Sequence, residues 1–257
     1  SLSTVLEKDF VENADIVIME VNPNLPRTFG DTHVHISEID YLVEVDAQVP
    51  TLEQPVLSEK DLIIGNYAAD LVEDNSTIQI GFGSITGAIA QCLGNKKDLG
   101  LHSEMFTDSV LNLYEAGAIT NRKKTLWKDK FVTDAALGSR KLYDFLDENM
   151  AVEFHRSSVV NDPAIIARNN KMVSINAALQ MDLTGQCCAE SIGMQLFSGT
   201  GGHKEFITGA MDAPGGKSII AFYSSAKDDT ISRIVPWFEP GTIVTTSRID
   251  VDYVVTE

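Results

Sequence analysis

Long hydrophobic runs and cysteine are both scarce in this sequence. No apolar run approaches the roughly 20 residues that a membrane-spanning helix needs. No charged-then-apolar segment opens the chain, as a secretion signal would. The three cysteines, two of them adjacent (Cys187 and Cys188), make a poor disulfide framework and suit a reducing setting. We therefore expect a cytoplasmic protein with no membrane partner.

Basic clusters are also few, since only Lys96-Lys97, Arg122–Lys124 and Arg140-Lys141 stand out and the net charge is −17. Nucleic acid binding needs a concentrated basic surface, so we expect no nucleic-acid partner. The same acidity bears on anionic ligands. A polyanion would have to be held by local backbone N–H groups or by a few basic side chains.

The composition is that of a globular protein, with 44% apolar and 22% charged residues over 257 positions and no internal repeat. Strand-like and helix-like segments alternate after Ser58. The predicted strands are Thr77–Ile80, Leu99–Met105, Lys130–Leu137, Met172–Asp182, Lys217–Ser224 and Thr242–Thr246. The predicted helices begin at a capping box of Ser58 and Asp61, at Ile85, around Ser109 and at Ser139. This alternation predicts an α/β fold with a mostly parallel sheet and flanking helices.

A proline-containing stretch, Val49–Pro55, separates two parts of the chain. Before it, Ala14–Val21 predicts a strand. We assign residues 1–50 to the remnant of a first domain, 51–57 to a linker and 58–257 to a second domain that is incomplete at its C-terminus. Both ends lie inside predicted elements, so we expect a fragment, a split subunit or a processed chain.

A glycine segment, Gly81–Gly87 (GFGSITG), lies between a predicted strand and a predicted helix. Its glycines would let the backbone approach a ligand, and a helix N-terminus offers unpaired N–H groups to an anion. One interpretation is a dinucleotide fingerprint, since Glu104 follows about twenty residues later, where a ribose-binding acid would lie. Against it, Thr86 occupies the third fingerprint position. A strand-to-helix turn without a ligand is the alternative.

Glu104 itself lies in the segment Leu101–Phe106 (LHSEMF). Alternation on a strand would place His102 and Glu104 on one face, and Ser103 and Met105 on the other. A carboxylate at the end of a strand in a parallel sheet lies where such folds bind ligands. From spacing alone, a solvated glutamate at the strand end stays open as the alternative.

Two other groups of reactive side chains are predicted to form neither a metal site nor a nucleophile. His33 and His35 would share a face if Asp31–His35 formed a strand, and such pairs can bind a metal. No further histidine or cysteine lies nearby in sequence, so we expect no metal site. The Cys187-Cys188 pair has no neighbouring base in sequence, which indicates small buried residues and not a nucleophile.

Motifs along nearly the whole chain agree in order and spacing with one enzyme family. They are PRTFGD at 26–31, HISEID at 35–40, IGFGSITGAIAQCL at 80–93, LGLHSEMFTDSVLNLYEAG at 99–117, GSRKLYDF at 138–145, DLTGQ at 182–186 and VTTSRIDVDYVVTE at 244–257. Together they resemble the acetyl-CoA hydrolase/transferase family, and most closely its 4-hydroxybutyrate and butyryl-CoA:acetate CoA-transferase branch. The resemblance implies a CoA-transferase-like fold with Glu104 as the catalytic nucleophile.

A second glycine segment, Ser198–Phe206, resembles the family's GxGGxxDF motif, whose backbone amides lie against the thioester end of bound coenzyme A. Without the resemblance, a mobile turn would be the simpler interpretation. Two residues depart from the family pattern: Thr86 stands in place of the usual proline and Glu205 in place of the usual aspartate. The resemblance assigns coenzyme A binding to Gly81, Gly83, Gly199, Gly201 and Gly202.

The resemblance also makes residues 1–50 part of a first CoA-transferase domain and 58–257 the second, glutamate-bearing one. It implies acyl-CoA and a short-chain carboxylic acid as substrates, no tightly bound cofactor, and a homo-oligomer or a complementing chain as partner. The family's active site lies between two domains, so we expect this chain to lack part of the site's walls.

The predicted function is therefore a CoA-transferase. It would move CoA between a short-chain acyl-CoA (butyryl-, 4-hydroxybutyryl- or acetyl-CoA) and a free acid by a ping-pong mechanism through a glutamyl-CoA thioester. Three alternatives stay open. They are an acyl-CoA hydrolase of the same family, a non-catalytic CoA-binding fragment or split subunit, and a nicotinamide-dependent Rossmann enzyme.

Overall fold

The computed structural model describes residues 2–257. Within them, α-helices occupy eight segments: α1 (Glu7–Asn13), α2 (Glu59–Asp70), α3 (Ser84–Cys92), α4 (Asp108–Glu115), α5 (Arg140–Leu146), α6 (Ser157–Val160), α7 (Pro163–Ile166) and α8 (His203–Asp212). None of the helices in this range has the length and apolar character needed to cross a bilayer.

The strands of the same residues are mostly short. They are β1 (Ile18–Val21), β2 (Phe29–Gly30), β3 (Tyr41–Glu44), β4 (Thr77–Ile80), β5 (Gly100–Leu101), β6 (Met105–Phe106), β7 (Phe131–Thr133), β8 (Ala135–Ala136), β9 (Val152–Phe154), β10 (Met172–Ala177), β11 (Gln180–Asp182), β12 (Cys187–Cys188), β13 (Ser191–Ile192), β14 (Gln195–Leu196), β15 (Lys217–Ala221), β16 (Ser225–Ala226), β17 (Ile231–Ser232), β18 (Ile234–Val235) and β19 (Tyr253–Val255).

A five-stranded parallel sheet of order β19-β15-β10-β4-β5 forms the centre of the fold. Successive side chains of a strand point to opposite faces. Ile175 and Ile219 accordingly pack in the cluster that contains residues of α2 and α3, whereas Met172 and Ile220 pack in clusters that contain residues of α8. Helices cover both faces, as a parallel sheet requires. The predicted α/β fold with a mostly parallel sheet is confirmed.

A second parallel sheet, β2-β9-β7, continues from the β5 edge through a bridge between His102 and Val132. Its outer strand, β2, comes from the first fifty residues. A hydrogen bond also joins the first fifty residues to the β7–β8 segment: the Thr4 N–H donates to the Asp134 carbonyl at 2.8 Å. Arg156 adds ion pairs to Asp9, Glu12 and Asp31. By contrast, β1 and β3 pair only with each other within residues 2–257, and most of their side chains are exposed.

Several predicted strands differ from the structure because the chain changes partners within them. Met172–Asp182 divides into β10 and β11, which belong to different sheets, and Lys130–Leu137 divides into β7 and β8. Thr242–Thr246 forms no strand, and its Thr246 makes only an isolated bridge to Cys187. Ala14–Val21 shortens to β1.

The structure has no strand at Asp31–His35 that would place His33 and His35 on one face. Residues 31–35 are irregular, and the His35 side chain caps a 3₁₀ turn at Ile36–Glu38, where it accepts a hydrogen bond from the Ser37 N–H. No group of three or more His, Cys, Asp or Glu side chains in residues 2–257 is arranged to hold a metal ion.

Ser58 and Asp61 form the capping box predicted for the start of α2. The Asp61 N–H donates to Ser58 Oγ at 3.2 Å, and the Ser58 N–H donates to Asp61 Oδ2 at 2.8 Å. Tyr223, just after β15, donates its hydroxyl to Asp61 Oδ1 at 2.5 Å. Burial would raise the pKa of Asp61, but the hydrogen bonds from Ser58 and Tyr223 outweigh it and hold that pKa below its usual value. The box therefore ties α2 to the central sheet.

Ser58→Ala is expected to lower the free energy of unfolding by about 1 kcal/mol, because it removes the cap acceptor of α2. Chemical denaturation measures this loss. The matched control is Ser158→Ala at an exposed position in α6, where a change within about 0.5 kcal/mol is expected. Equal losses in the two variants would contradict the capping role.

Candidate functional site

Glu104 lies where the chain leaves the central sheet for the neighbouring strands. After β5, the His102 N–H donates to the Ile78 carbonyl in β4 at 3.1 Å, whereas the Ser103 N–H donates to the Val132 carbonyl in β7 at 3.0 Å. The strand predicted over Leu99–Met105 is therefore interrupted at residues 103 and 104. Its regular alternation does not hold there: His102 is fully buried, while Glu104 is half-buried and lines a cavity.

Three donors from one segment fix the backbone carbonyl of Glu104. They are the Ala135 N–H at 3.0 Å, the Asp134 N–H at 3.3 Å and the Thr133 hydroxyl at 2.8 Å. A carbonyl with this many partners has little freedom to rotate. The position of Glu104 is thus set by the β7–β8 segment and not by the central sheet.

The carboxylate of Glu104 accepts a hydrogen bond from Asn161, whose Nδ2 lies 3.0 Å from Glu104 Oε2. Asn161 is the C-cap residue of α6, and its Oδ1 is buried with no hydrogen-bond partner in residues 2–257. Sequence reasoning missed this residue. The only local signal was Asn161-Asp162-Pro163, which is typical of a turn before a helix and carries no functional information.

The second glycine segment approaches the same carboxylate from the other side. A Cβ on Gly202 would overlap Glu104 Oε2 and lie 2.8 Å from Asn161 Nδ2, so a larger residue there would have to displace the Glu104 carboxylate. Gly201 has φ +53°, in the left-handed region that favours glycine, and a Cβ added to it would lie 3.6 Å from Glu104 Oε1. Gly202 is also the N-cap of α8, where the helix dipole favours a negative charge.

Glu104 faces a cavity of about 370 Å³ at the carboxyl ends of β4 and β10. Four of the five predicted glycines line it: Gly81, Gly199, Gly201 and Gly202. Gly83 does not line it and instead caps the N-terminus of α3. The floor includes Gln79 and Asn176, whose amides are hydrogen-bonded to each other at 3.1 Å. The site therefore offers amide dipoles and backbone N–H groups beside one carboxylate.

The two histidines of this region are neutral near pH 7. Burial lowers the pKa of His203 to about 4, and His203 Nε2 lies 2.9 Å from Thr246 Oγ1. Burial, with a smaller contribution from the Lys124 cation, lowers the pKa of His102 to about 3. His102 Nε2 lies 2.8 Å from the Val160 carbonyl. Because a carbonyl only accepts, this nitrogen carries the proton, and His102 holds the end of α6.

A larger groove of about 430 Å³ lies between α3, α4 and the 54–57 segment, but its walls carry no carboxylate, histidine or thiol. The Glu104 cavity combines a carboxylate, a hydrogen-bond donor and glycine backbone at a helix N-terminus. This arrangement suits nucleophilic attack by Glu104 on a carbonyl, with nearby amides to stabilise developing negative charge. We therefore take the Glu104 cavity as the candidate active site.

Comparisons with known proteins identify relatives of this chain. Residues 138–257 match the acetyl-CoA hydrolase/transferase C-terminal domain. The chain is 48% identical over 250 residues to the 4-hydroxybutyrate coenzyme A transferase of Clostridium kluyveri, a match that covers 97% of this chain and 58% of that protein. It is 44% identical over 257 residues to the succinyl-CoA:cyclohexane-1-carboxylate CoA transferase of Geobacter metallireducens, covering 100% and 59%.

A solved structure of a CoA-transferase has a fold similar to that of this chain. The crystal structure of 4-hydroxybutyrate CoA-transferase from Porphyromonas gingivalis superposes on this chain with a TM-score of 0.88 at 39% identity. The match covers 100% of this chain and 60% of that one. The chain thus has the CoA-transferase fold and spans about three fifths of the length of these relatives.

Gly202→Ala is expected to displace the Glu104 carboxylate and lengthen its hydrogen bond to Asn161, because the new methyl group would occupy the carboxylate's space. We expect a stability loss on the order of 1–3 kcal/mol. Crystal structures and chemical denaturation of the variant measure both effects. Gly199→Ala is the matched control, since an added Cβ there meets nothing within 4 Å. An unmoved carboxylate in Gly202→Ala would contradict the steric argument.

Proposed function

The chain belongs to the acetyl-CoA hydrolase/transferase family, and we propose that it forms the glutamate-bearing part of a CoA-transferase. The observation that carries the proposal is the position of Glu104. Its carboxylate lies at the carboxyl ends of parallel strands, between Asn161 and the glycine segment at the N-terminus of α8. The family membership favours CoA transfer over the nicotinamide-dependent interpretation of the Gly81–Gly87 loop.

In the proposed first half-reaction, the ionised Glu104 carboxylate attacks the thioester carbonyl of an acyl-CoA. The C–S bond breaks, and CoA thiolate leaves a mixed anhydride of Glu104 and the acyl group. The thiolate then attacks the glutamyl carbonyl, the anhydride C–O bond breaks, and the first acid departs as its carboxylate. A glutamyl-CoA thioester remains on the protein, and a second carboxylic acid reverses these steps.

A carboxylate is a weak nucleophile, so positioning and oxyanion stabilisation must supply much of the acceleration. The Asn161 hydrogen bond and the three donors on the Glu104 carbonyl would supply the positioning. The proposed donors to the oxyanion are the backbone N–H groups of Phe82 and of Gly199–Gly202, which line the cavity. The Gly81 N–H already donates to the Ile175 carbonyl at 3.0 Å, and Gly83 does not line the cavity. Water must be excluded as well, because it would hydrolyse the anhydride or the thioester.

We propose short-chain substrates, namely butyryl-, 4-hydroxybutyryl- or acetyl-CoA and a free short-chain acid, with coenzyme A as a substrate and not as a bound cofactor. The support is the resemblance of the motifs to this branch and the activity for which the Clostridium kluyveri relative is named, 4-hydroxybutyrate coenzyme A transfer. In this proposal the Glu104 side chain itself carries CoA between the two half-reactions, so the exchange needs no prosthetic group.

Glu104→Gln is expected to lower the rate of CoA exchange by about 10⁴-fold or more, since the amide cannot form the anhydride. Incubation of the wild-type protein with butyryl-CoA, without an acceptor acid, should give a CoA-sized mass increase on the peptide that contains Glu104. The control, Glu53→Gln in the exposed linker, should retain both exchange and adduct.

The same incubation separates the alternatives. Free CoA that accumulates without an adduct would favour the acyl-CoA hydrolase. Intact acyl-CoA without an adduct would show that this chain alone is not catalytic. Exchange that persists in Glu104→Gln would contradict the assignment of the nucleophile.

We further propose that the catalytic form contains a second polypeptide packed against β1 and β3, either another copy of this chain or a complementing chain. The support is the exposure of this two-stranded parallel sheet, where Ile18 is 66%, Tyr41 62% and Leu42 50% exposed. Parallel strands are normally covered on both faces, and a two-stranded sheet is only marginally stable alone.

Light scattering tests this proposal against the chain mass of 28.1 kDa. A multiple of that mass indicates self-association. A mass of 28.1 kDa that rises only on co-expression with the unmatched part of the Clostridium kluyveri relative indicates a complementing chain. Leu42→Lys should weaken either association, whereas Ile249→Lys, at a residue 79% exposed elsewhere, should not. A 28.1 kDa species under both conditions would contradict the proposal.

A further inference from the structure

A second carboxyl group, that of Asp134, lies beside Glu104. The β6–β8 pairing sets Met105 opposite Ala135, so the preceding residues, Glu104 and Asp134, occupy corresponding positions on neighbouring segments. The Asp134 N–H also donates to the Glu104 carbonyl at 3.3 Å. Neither the sequence motifs nor the proposed mechanism gives this aspartate a role.

The side chain of Asp134 is completely buried and incompletely hydrogen-bonded. Its exposed fraction is 0%. Oδ2 accepts a hydrogen bond from the Ser157 hydroxyl at 2.5 Å, whereas Oδ1 is buried without a partner in residues 2–257. A buried carboxylate with one unpaired oxygen pays a large desolvation cost, so this environment favours the protonated, neutral form.

The charged groups around Asp134 also favour its protonated form. The two carboxylates that face it are Glu104, from the β6 side, and Glu7, from α1. The cations next to Glu7 and Ser157 in sequence are occupied elsewhere: Lys8 pairs with Asp31, and Arg156 pairs with Asp9, Glu12 and Asp31. His155, which precedes Arg156, pairs with Glu153. Burial first, and then the Glu104 charge, raise the pKa of Asp134 to about 7, against the Ser157 hydrogen bond.

We propose that Asp134 is a positioning residue that must hold its proton while Glu104 acts as the nucleophile, so that ionisation of Asp134 reduces CoA transfer. This inference rests on the proposed function. A second negative charge beside Glu104 would repel the incoming carboxylate of the acceptor acid. It would also oppose the negative charge that develops on the thioester oxygen during attack. A neutral Asp134 removes both penalties and leaves Glu104 the single anion of the pair.

The pH profile of kcat/KM for the acyl-CoA tests the proposal, because the acyl-CoA reacts with the form of the protein in which Glu104 is a free carboxylate. For the wild type we expect a decline above pH about 7 that approaches about tenfold per pH unit. Asp134→Asn is of the same size and neutral at every pH, so it should lose this decline. Ser157→Ala removes the hydrogen bond that favours the ionised form, so it should move the decline to higher pH. Asp212→Asn, at an exposed position at the end of α8, should leave the profile unchanged.

A decline that persists in Asp134→Asn, or one that Ser157→Ala leaves in place, would overturn the proposal. A merely structural role would lower the rate at every pH without moving the profile. Infrared difference spectra between wild type and Asp134→Asn give a readout that does not need activity. A protonated-carboxyl band should disappear as the pH rises through about 7, and its absence at lower pH would also overturn the proposal. Loss of exchange in the wild type, with this band present, would instead contradict the proposed function.

Discussion

The candidate site depends on one crossing of the backbone, the passage from the central sheet to the β7–β8 segment at residues 103 and 104. Had β5 continued as a regular strand, the backbone N–H and carbonyl of Glu104 would have paired with a neighbouring strand. The alternation of side chains along the strand would then have decided which face of the sheet its carboxylate points to. Instead, three donors from residues 133–135 hold its carbonyl. The same segment supplies Asp134, whose contact with Ser157 helps to fix α6, and Asn161 is the C-cap residue of α6. One change of strand partner thus positions the proposed nucleophile, its hydrogen-bond donor and the neighbouring acid.

The electrostatics of the site follow from burial more than from charge pairing. His102 and His203 lie too deep to carry a positive charge near pH 7, so both act as neutral hydrogen-bonding groups. His102 donates to the Val160 carbonyl and thereby supports the turn that presents Asn161. With the histidines neutral and Asp134 mainly protonated below pH about 7, the negative charge of the site is concentrated on Glu104. That carboxylate lies at the N-terminus of α8, where the helix dipole and the glycine backbone favour it.

The strands and helices could be predicted because their patterns are local. The Thr77–Ile80 strand is found with those bounds, and the Ser58 capping box begins α2 as its spacing indicates. The glycines at 201 and 202 were predicted from a motif, yet the reason for Gly202 emerged only in three dimensions, since its missing side chain makes room for Glu104. Asn161 could not be found in this way. It is 57 residues from Glu104 in sequence, and its own neighbours look like an ordinary turn.

The net charge of −17 gives the glycine-rich walls a further physical role. A polyanionic ligand such as coenzyme A gains nothing from the overall field of this chain, which repels it. Its binding must come from short-range donors that lose little strength to the surrounding acidity. In the proposed function, backbone N–H groups at the start of α8 meet this need, because they would add partial positive charge beside Glu104. A lysine or arginine in the same place would pair with Glu104 and weaken it in its proposed role as nucleophile. Under that proposal, glycine backbone and amide side chains meet two requirements together: they would attract an anionic ligand, and they leave the Glu104 carboxylate without a countercharge.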